Sequence, residues 1–195
     1  MKSSDIDAFF KNLSQEIKRP ATIILIGGAA ALLLGGVRPT EDIDFSIASK
    51  ESVDSLSKGI SLSEKQSGIR AEYSDDIERW SMFDLLDYKK HTRPYKIFGK
   101  LKITILEPEY WSIGKMGRYY DSDVEDMICV FKKQKTNLKQ LLTVWTKSLK
   151  KSPLSDDLFH FKKHAEHFLK TYGSRIWGRQ FTLEKALHRF LVFSK

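Results

Sequence analysis

One cysteine, five prolines and no apolar run long enough to cross a bilayer set the first limits on this 195-residue chain. Cys129 lies among Met127, Ile128, Val130 and Phe131, so it reads as a small core hydrophobe and excludes any intrachain disulfide, which fits a reducing, cytoplasmic setting. The longest apolar stretch, Ala21 to Gly36, is broken by two Gly-Gly pairs and falls short of the roughly 20 residues a spanning helix needs, so no membrane partner is expected. Internal repeats and low-complexity segments are absent, and a hydrophobic content of 41% with 30% charged residues excludes disordered and fibrous classes. Acidic residues are in deficit: 33 Lys and Arg stand against 25 Asp and Glu, a formal net charge of +8. That balance suits a polyanionic partner, nucleic acid first, and on charge alone a solvated basic face with no partner equally.

Hydrophobic periodicity then lays out the elements. Ile6, Phe9, Phe10, Leu13 and Ile17 recur at helical spacing behind a Ser4/Asp7 capping pattern and stop at Pro20. Thr22 to Ile26 is a β-branched strand ended by Gly27-Gly28, and Ala29 to Leu34 a short helix. Asp42 to Ile47 is a second strand, Val53 and Leu56 begin a surface helix, and a third strand lies near Ile69 to Tyr73. A short helix is expected at Leu85 to Lys90, then a strand or hairpin about Gly99 between Tyr95 and Leu106. Pro108 opens a helix, and Asp121-Ser122-Asp123 opens another that runs to about Lys133. Only helices follow: Leu138 to Leu149, then Asp156 to Tyr172 between a Ser155 cap and Gly173, then Leu183 to Phe193. The pattern is α+β, with a small mixed sheet flanked by helices in residues 1–135 and a helical C-terminal lobe in residues 136–195.

The informative unit is strand, Gly-Gly, helix, then a strand bearing Asp42-x-Asp44. Carboxylates one residue apart on a strand project to the same side, close enough to hold a divalent ion of the magnesium type jointly. A glycine turn opening a helix offers backbone N–H groups to phosphate oxygens, the part assigned to Gly27, Gly28 and Ala29. Each piece alone is commonplace; their order and spacing together are specific.

On these residues, Gly27-Gly28-Ala29 followed by Gly36-Val37-Arg38-Pro39-Thr40-Glu41-Asp42-Ile43-Asp44-Phe45, the sequence resembles the polymerase-beta-like nucleotidyltransferases. Within them it is most similar to the branch holding the AbiEii-type and MenT-type toxins of toxin–antitoxin systems. A second stretch carries that likeness too: Glu107-Pro108-Glu109-Tyr110-Trp111-Ser112-Ile113-Gly114-Lys115, Arg118, and Asp123-x-x-Asp126. The resemblance implies the family's fold and transfer of a nucleotide from a nucleoside triphosphate (NTP) to an acceptor with two Mg2+ ions, or Mn2+ in their place. Asp42, Asp44 and a third carboxylate would hold the metals. Gly27, Gly28, Ala29, Arg38, Thr40, Lys115 and Asp126 would bind nucleotide, with Asp126 orienting Lys115 by an ion pair or capping its own helix. Arg38 and Lys115 are the cations that would offset charge on the phosphates, unless they are plain surface side chains. The implied partners are RNA, tRNA in particular, and a cognate antitoxin. Protein or a small molecule are alternative acceptors, and a catalytically silent binding protein on the same fold is the alternative of another class.

Two departures from that pattern matter. The turn reads Gly28-Ala29 where many relatives have Gly-Ser, so phosphate would rest on backbone donors alone. The third carboxylate belongs on the next strand, where Glu72, Asp75 and Asp76 compete; Glu72 alternates within the strand and is preferred, with Asp76 at its end the alternative.

Other signals carry less. His160, His164 and His167 sit at i, i+4 and i+7, a spacing that suits zinc. No cysteine accompanies them, and Lys162, Lys163 and Glu166 mark the edge of an exposed face. Phe159, Phe161, Phe168 and Tyr172 read as the lobe's core. Basic clusters occur at Lys89-Lys90-His91 with Arg93 and Lys96, at Lys132-Lys133 with Lys135 and Lys139, and at Lys147, Lys150 and Lys151. They suit a nucleic-acid backbone or a solvated face equally.

Overall fold

The β-branched run becomes β1 (Ala21–Leu25), the centre of a five-stranded mixed sheet. The computed structural model describes residues 1–77, 79–80, 83–85 and 87–193. Two compact units interleave along the chain: Met1–Leu33, Arg38–Ile77 and Lys89–Glu107 form the first, and Leu34–Val37, Glu78–Tyr88 and Pro108–Lys195 the second.

In the first unit β1 pairs antiparallel with β2 (Asp42–Ser49), which runs parallel to β3 (Arg70–Ser74). On its other side β1 is parallel to β7 (Leu101–Leu106), which pairs antiparallel with the edge strand β6 (Thr92–Phe98). The expected hairpin about Gly99 is β6–β7, and Gly99 has the left-handed φ of 53° that its turn needs. Alternation sorts the faces of β2. Ile43, Phe45 and Ile47 are buried on one side, where Phe45 meets Phe9 and Phe10 of helix α1 (Ser3–Glu16). All three rings are fully buried, and losing one costs about 3–5 kcal/mol. Helix α3 (Val53–Ser67) packs against α1, capped by Ser52 at its start and closed by Gly68 at φ 71°. Asp42 and Asp44 stand on the opposite face of β2 by the same alternation. Helix α2 (Gly27–Leu33) follows β1 directly.

The second unit is helical apart from a short antiparallel pair, β4 (Arg79–Trp80) with β5 (Phe83–Asp84). Its helices are α4 (Pro108–Arg118), α5 (Asp121–Lys133), α6 (Leu138–Lys151), α7 (Asp156–Trp177) and α8 (Leu183–Phe193). Helices α4 and α5, assigned from sequence to the sheet domain, pack with α6 and α7 in this unit. Trp145 is its fully buried hub, ringed by Phe131, Phe161, Phe168 and Phe190, and its indole N–H donates to Ser112 Oγ at 2.9 Å. Among the described residues no helix is long and apolar enough to cross a membrane.

Some local expectations change. Helix α1 starts two residues earlier than a Ser4 cap would set it: the Lys2 N–H donates to the Asp5 carboxylate at 2.6 Å, so Asp5 does the capping. Helix α7 does not stop at Gly173 but continues to Trp177, with Gly178 as the left-handed stop at φ 65°. Gly173 is there for space, since a Cβ would sit 2.1 Å from the Phe181 ring. Phe159 is 58% exposed, off the α7 face that buries Phe161, Ala165 and Phe168, so it is not core. The Leu85 to Lys90 helix reduces to a 3-10 turn at Tyr88–Lys90, and Leu86 lies outside the described residues.

Candidate active site

The acid strand and the glycine turn meet in the first unit. The Ile26 N–H donates to the Asp44 carbonyl at 3.0 Å, continuing the β1–β2 ladder to the end of β1, where Gly27 turns into α2 at φ 58°. A Cβ at Gly27 would lie 1.7 Å from Asp44 Oδ2, so only glycine allows the carboxylate to sit over this turn. A Cβ at Gly28 would lie 2.4 Å from Thr40 Oγ1. Thr40, itself 6% exposed, donates its hydroxyl to Asp42 Oδ1 at 3.0 Å, with the Asp42 carbonyl at 3.2 Å. The two glycines thus seat the two halves of the acid motif: Gly27 carries Asp44, and Gly28 carries Asp42 through Thr40.

The neighbouring strand brings one more carboxylate to this face. Asp44 and Glu72 are partners in the parallel β2–β3 register, so their side chains leave the sheet on the same side, as do Asp42 and Arg70. Glu72 is exposed. Asp76, the alternative, lies beyond the end of β3 and is ion-paired with Lys89 at 3.1 Å. Register therefore groups Glu72, and not Asp76, with the Asp42–Asp44 pair. Hard carboxylate oxygens on one face are the donor set a magnesium ion takes, and Gly27 leaves the space that the Asp44 carboxylate occupies, so the residues fit such an ion. Among the described residues no three His, Cys, Asp or Glu side chains are already gathered tightly enough to hold a metal. Of the three turn residues Gly27 and Ala29 are buried and only Gly28 is part-exposed, while Arg38 is exposed in the loop between α2 and β2. A cavity of about 340 Å³ opens beside Thr40 and Glu41, against Asp5, Ser67 and Gly68. Asp5 and Glu41 are the charged side chains in its lining.

Lys115 and Asp126 belong to the second unit, and there they are buried. Lys115 Nζ lies 2.8 Å from Asp126 Oδ2 and 2.9 Å from Asp123 Oδ1, with all three side chains at most 3% exposed. Arg118 grips Asp123 with two nitrogens, at 3.0 and 3.3 Å. Burial alone would push the Asp123 carboxyl up, but hydrogen bonds from Arg118 and Lys115 outweigh it and hold the group below its ordinary value of 3.8. Lys115 also stands 5.7 Å from the Trp111 ring centre. The ion pair expected with Asp126 exists, and Asp123 shares it; the i, i+3 spacing of the two aspartates, which puts both on one face of α5, is the sequence signal for it.

Sequence reasoning missed a further cluster. Tyr119, at a left-handed φ of 57° between α4 and α5, stacks on His164 at 4.5 Å and shares a 2.8 Å hydrogen bond with His167 Nδ1. His164 Nδ1 is 3.0 Å from the Met116 carbonyl at the end of α4. Burial lowers the His164 pKa, with His160 and His167 adding to the effect. Two of the three histidines noted for zinc spacing are thus engaged in clamping the α4–α5 turn.

Neither the comparison with curated proteins nor that with solved structures gives a match. A family model, DUF6036, described as a nucleotidyltransferase of unknown function, matches residues 2–172. The five-stranded mixed sheet flanked by helices is consistent with that fold. Because the match takes in the glycine turn, the acid strand and the Lys115 cluster, and leaves out only the end of α7 and all of α8, the chain belongs to this nucleotidyltransferase family.

Proposed function

We propose that the chain is a magnesium-dependent enzyme that transfers a nucleoside monophosphate from an NTP to an acceptor, with RNA, and tRNA in particular, as that acceptor. The observation that carries this reading is the interlock of Gly27 with Asp44 and of Gly28 with Thr40 and Asp42, because it fixes two metal-type carboxylates against a turn of backbone donors. Asp42 and Asp44 would hold the ions, with Glu72 as third ligand; bound there, magnesium supplies Lewis-acid charge to the phosphoryl and acceptor oxygens. The chain's own groups do the rest. The N–H of part-exposed Gly28 orients a phosphate oxygen, and exposed Arg38 adds a cation for the charge that develops on the departing pyrophosphate. In the transfer the acceptor hydroxyl oxygen bonds to the α-phosphorus as the bond to pyrophosphate breaks, and the hydroxyl proton goes to a carboxylate of the site or to solvent. Lys115 and Asp126 enter this reading through the motif resemblance alone, since the Lys115 charge is already met by two aspartates. A role as the toxin of a toxin–antitoxin pair follows from the resemblance in the motifs.

A second reading, a binding protein without turnover, is favoured by one observation: the described acidic side chains are not gathered into a three-ligand cluster. The two are separated by incubating the chain with each α-labelled NTP, magnesium, and total bacterial RNA or protein, beside Asp42→Ala and Asp44→Ala. Label in RNA with the native chain alone supports transfer to RNA. Label in protein moves the acceptor, and no label together with no magnesium-dependent NTP binding supports the binding protein.

A further inference from the structure

The charge of this chain is not spread along it. Residues 138–195 hold 12 Lys and Arg against 4 Asp and Glu, a net of +8, while residues 1–137 hold 21 of each and are neutral. The whole excess therefore sits in α6, α7, α8 and their connections. Within that segment, α6 and α8 flank a cavity of about 630 Å³, inside the size range of ligand sites. Lys139 lines it from α6; Lys185, His188 and Arg189, at i, i+3 and i+4 on one face of α8, line it from the other side. Among the described residues Glu184 is the one acid in that lining.

Charge decides what fits. Leu142 and Ala186 form a buried floor and Leu138 is part-exposed at its edge, so the groove has apolar surface beside its charges. A phosphodiester backbone carries one anion per nucleotide and takes cations on flexible stems with neutral donors beside them, which Lys139, Lys185, Gln180 and Thr182 supply.

We propose that the α6–α8 groove is the docking surface for the phosphate backbone of the RNA acceptor. This rests on the reading that the acceptor is RNA. The groove holds the strand without reading its sequence, and it brings RNA to a chain whose other 137 residues carry no net charge to attract it.

The test is fluorescence anisotropy of fluorescein-labelled bulk tRNA against the full chain, without NTP, between about 50 and 200 mM KCl, a range over which phosphate binding responds steeply to salt. Lys139→Glu/Lys185→Glu is compared with Lys162→Glu/Lys163→Glu, which changes the net charge equally on α7, outside the groove lining. The groove variant should weaken binding by at least about tenfold and lower the slope of log affinity against log salt by about 2, at roughly 0.9 for each phosphate no longer neutralised. The α7 variant should weaken it less than about threefold, as distant charges are screened. Lys139→Ala/Lys185→Ala, which adds no repulsion, should fall between the native chain and the groove variant. Equal losses in the groove and α7 variants, or displacement of tRNA by an amphipathic Glu-rich peptide but not by unlabelled tRNA, overturns the proposal. Binding that depends on the groove with no nucleotide transfer to RNA leaves the docking surface standing and sinks the transfer reading instead.

Discussion

Two aspartate pairs in this chain look alike on paper and live in different physical worlds. Asp42-x-Asp44 lies on a strand, half-exposed, with a hydroxyl from Thr40 and a glycine turn beside it. Asp123-x-x-Asp126 lies on a helix, almost fully buried, with the Lys115 ammonium between its members. The first arrangement concentrates negative charge at a place solvent cations can reach. The second has consumed its charge inside the fold, where removing one partner leaves an uncompensated ion. An acidic pair is thus a better candidate ion site where solvent reaches it than where it is buried around a lysine.

The largest expected effect sharpens that contrast. Asp126→Ala leaves the buried Asp123 to meet both Lys115 and Arg118, one carboxylate for two cations, and should cost about 3–5 kcal/mol, read as a fall in melting temperature or denaturant midpoint. Asp44→Asn should leave stability within about 1 kcal/mol while reducing nucleotide transfer by a factor on the order of 10² or more. Equal stability losses in the two variants would erase the distinction. The same logic applies to Lys115→Ala, whose activity loss is informative about nucleotide binding only at a temperature where the variant is shown to be folded.

Next in size is Gly27→Ala. The left-handed φ costs an alanine about 1–2 kcal/mol, and its Cβ must displace the Asp44 carboxylate. Stability should drop by at least that much and transfer should fall with it, whereas Gly68→Ala, with the same sign of φ but open space around it, should cost stability alone. Thr40→Val is smaller: losing one hydrogen bond to Asp42 should cost about 1 kcal/mol of stability and weaken the magnesium dependence of NTP binding, measured by titration calorimetry.

The smallest effect concerns the second unit and pH. Folding lowers the His164 pKa below its ordinary 6.5, so the unfolded chain takes up the proton first. The stability from neutral His164, stacked on Tyr119 and facing His160, His167 and the Met116 carbonyl, is complete above that value and declines as pH falls below it. Melting temperature should drop between about pH 7 and pH 5, the range in which a histidine takes up its proton, and His164→Gln should flatten the drop. An unchanged slope in that variant would assign the acid sensitivity to other groups.

Much of this is legible in the residues. Alternation in Asp42 to Ile47 predicts both the strand and the shared face of its aspartates, because a period of two is imposed by the backbone itself. Gly27-Gly28 predicts a turn, and Pro108 and Ser155 mark helix starts where the structure has them. Misjudged positions share a cause. Gly173 reads as a helix stop by local preference, but the Phe181 ring packed on it comes from a later segment. Phe159 groups with the core by its chemistry, although helical phase turns it outward. Local propensity cannot report what lies across the chain.

By itself, the sequence determined the strand–turn–helix–strand order, the common side of Asp42 and Asp44, and the concentration of positive charge after residue 137. These follow from backbone periodicity and from counting ionisable groups, neither of which needs a partner in space. Only the tertiary structure decided that Glu72 rather than Asp76 stands in register with Asp44 and that Lys115 is shared by two buried aspartates. It also decided that Thr40 steadies Asp42 above Gly28. Each of those depends on which strand or helix lies beside which, and pairing between distant segments is set by the packing of the whole core, not by the residues that end up facing one another.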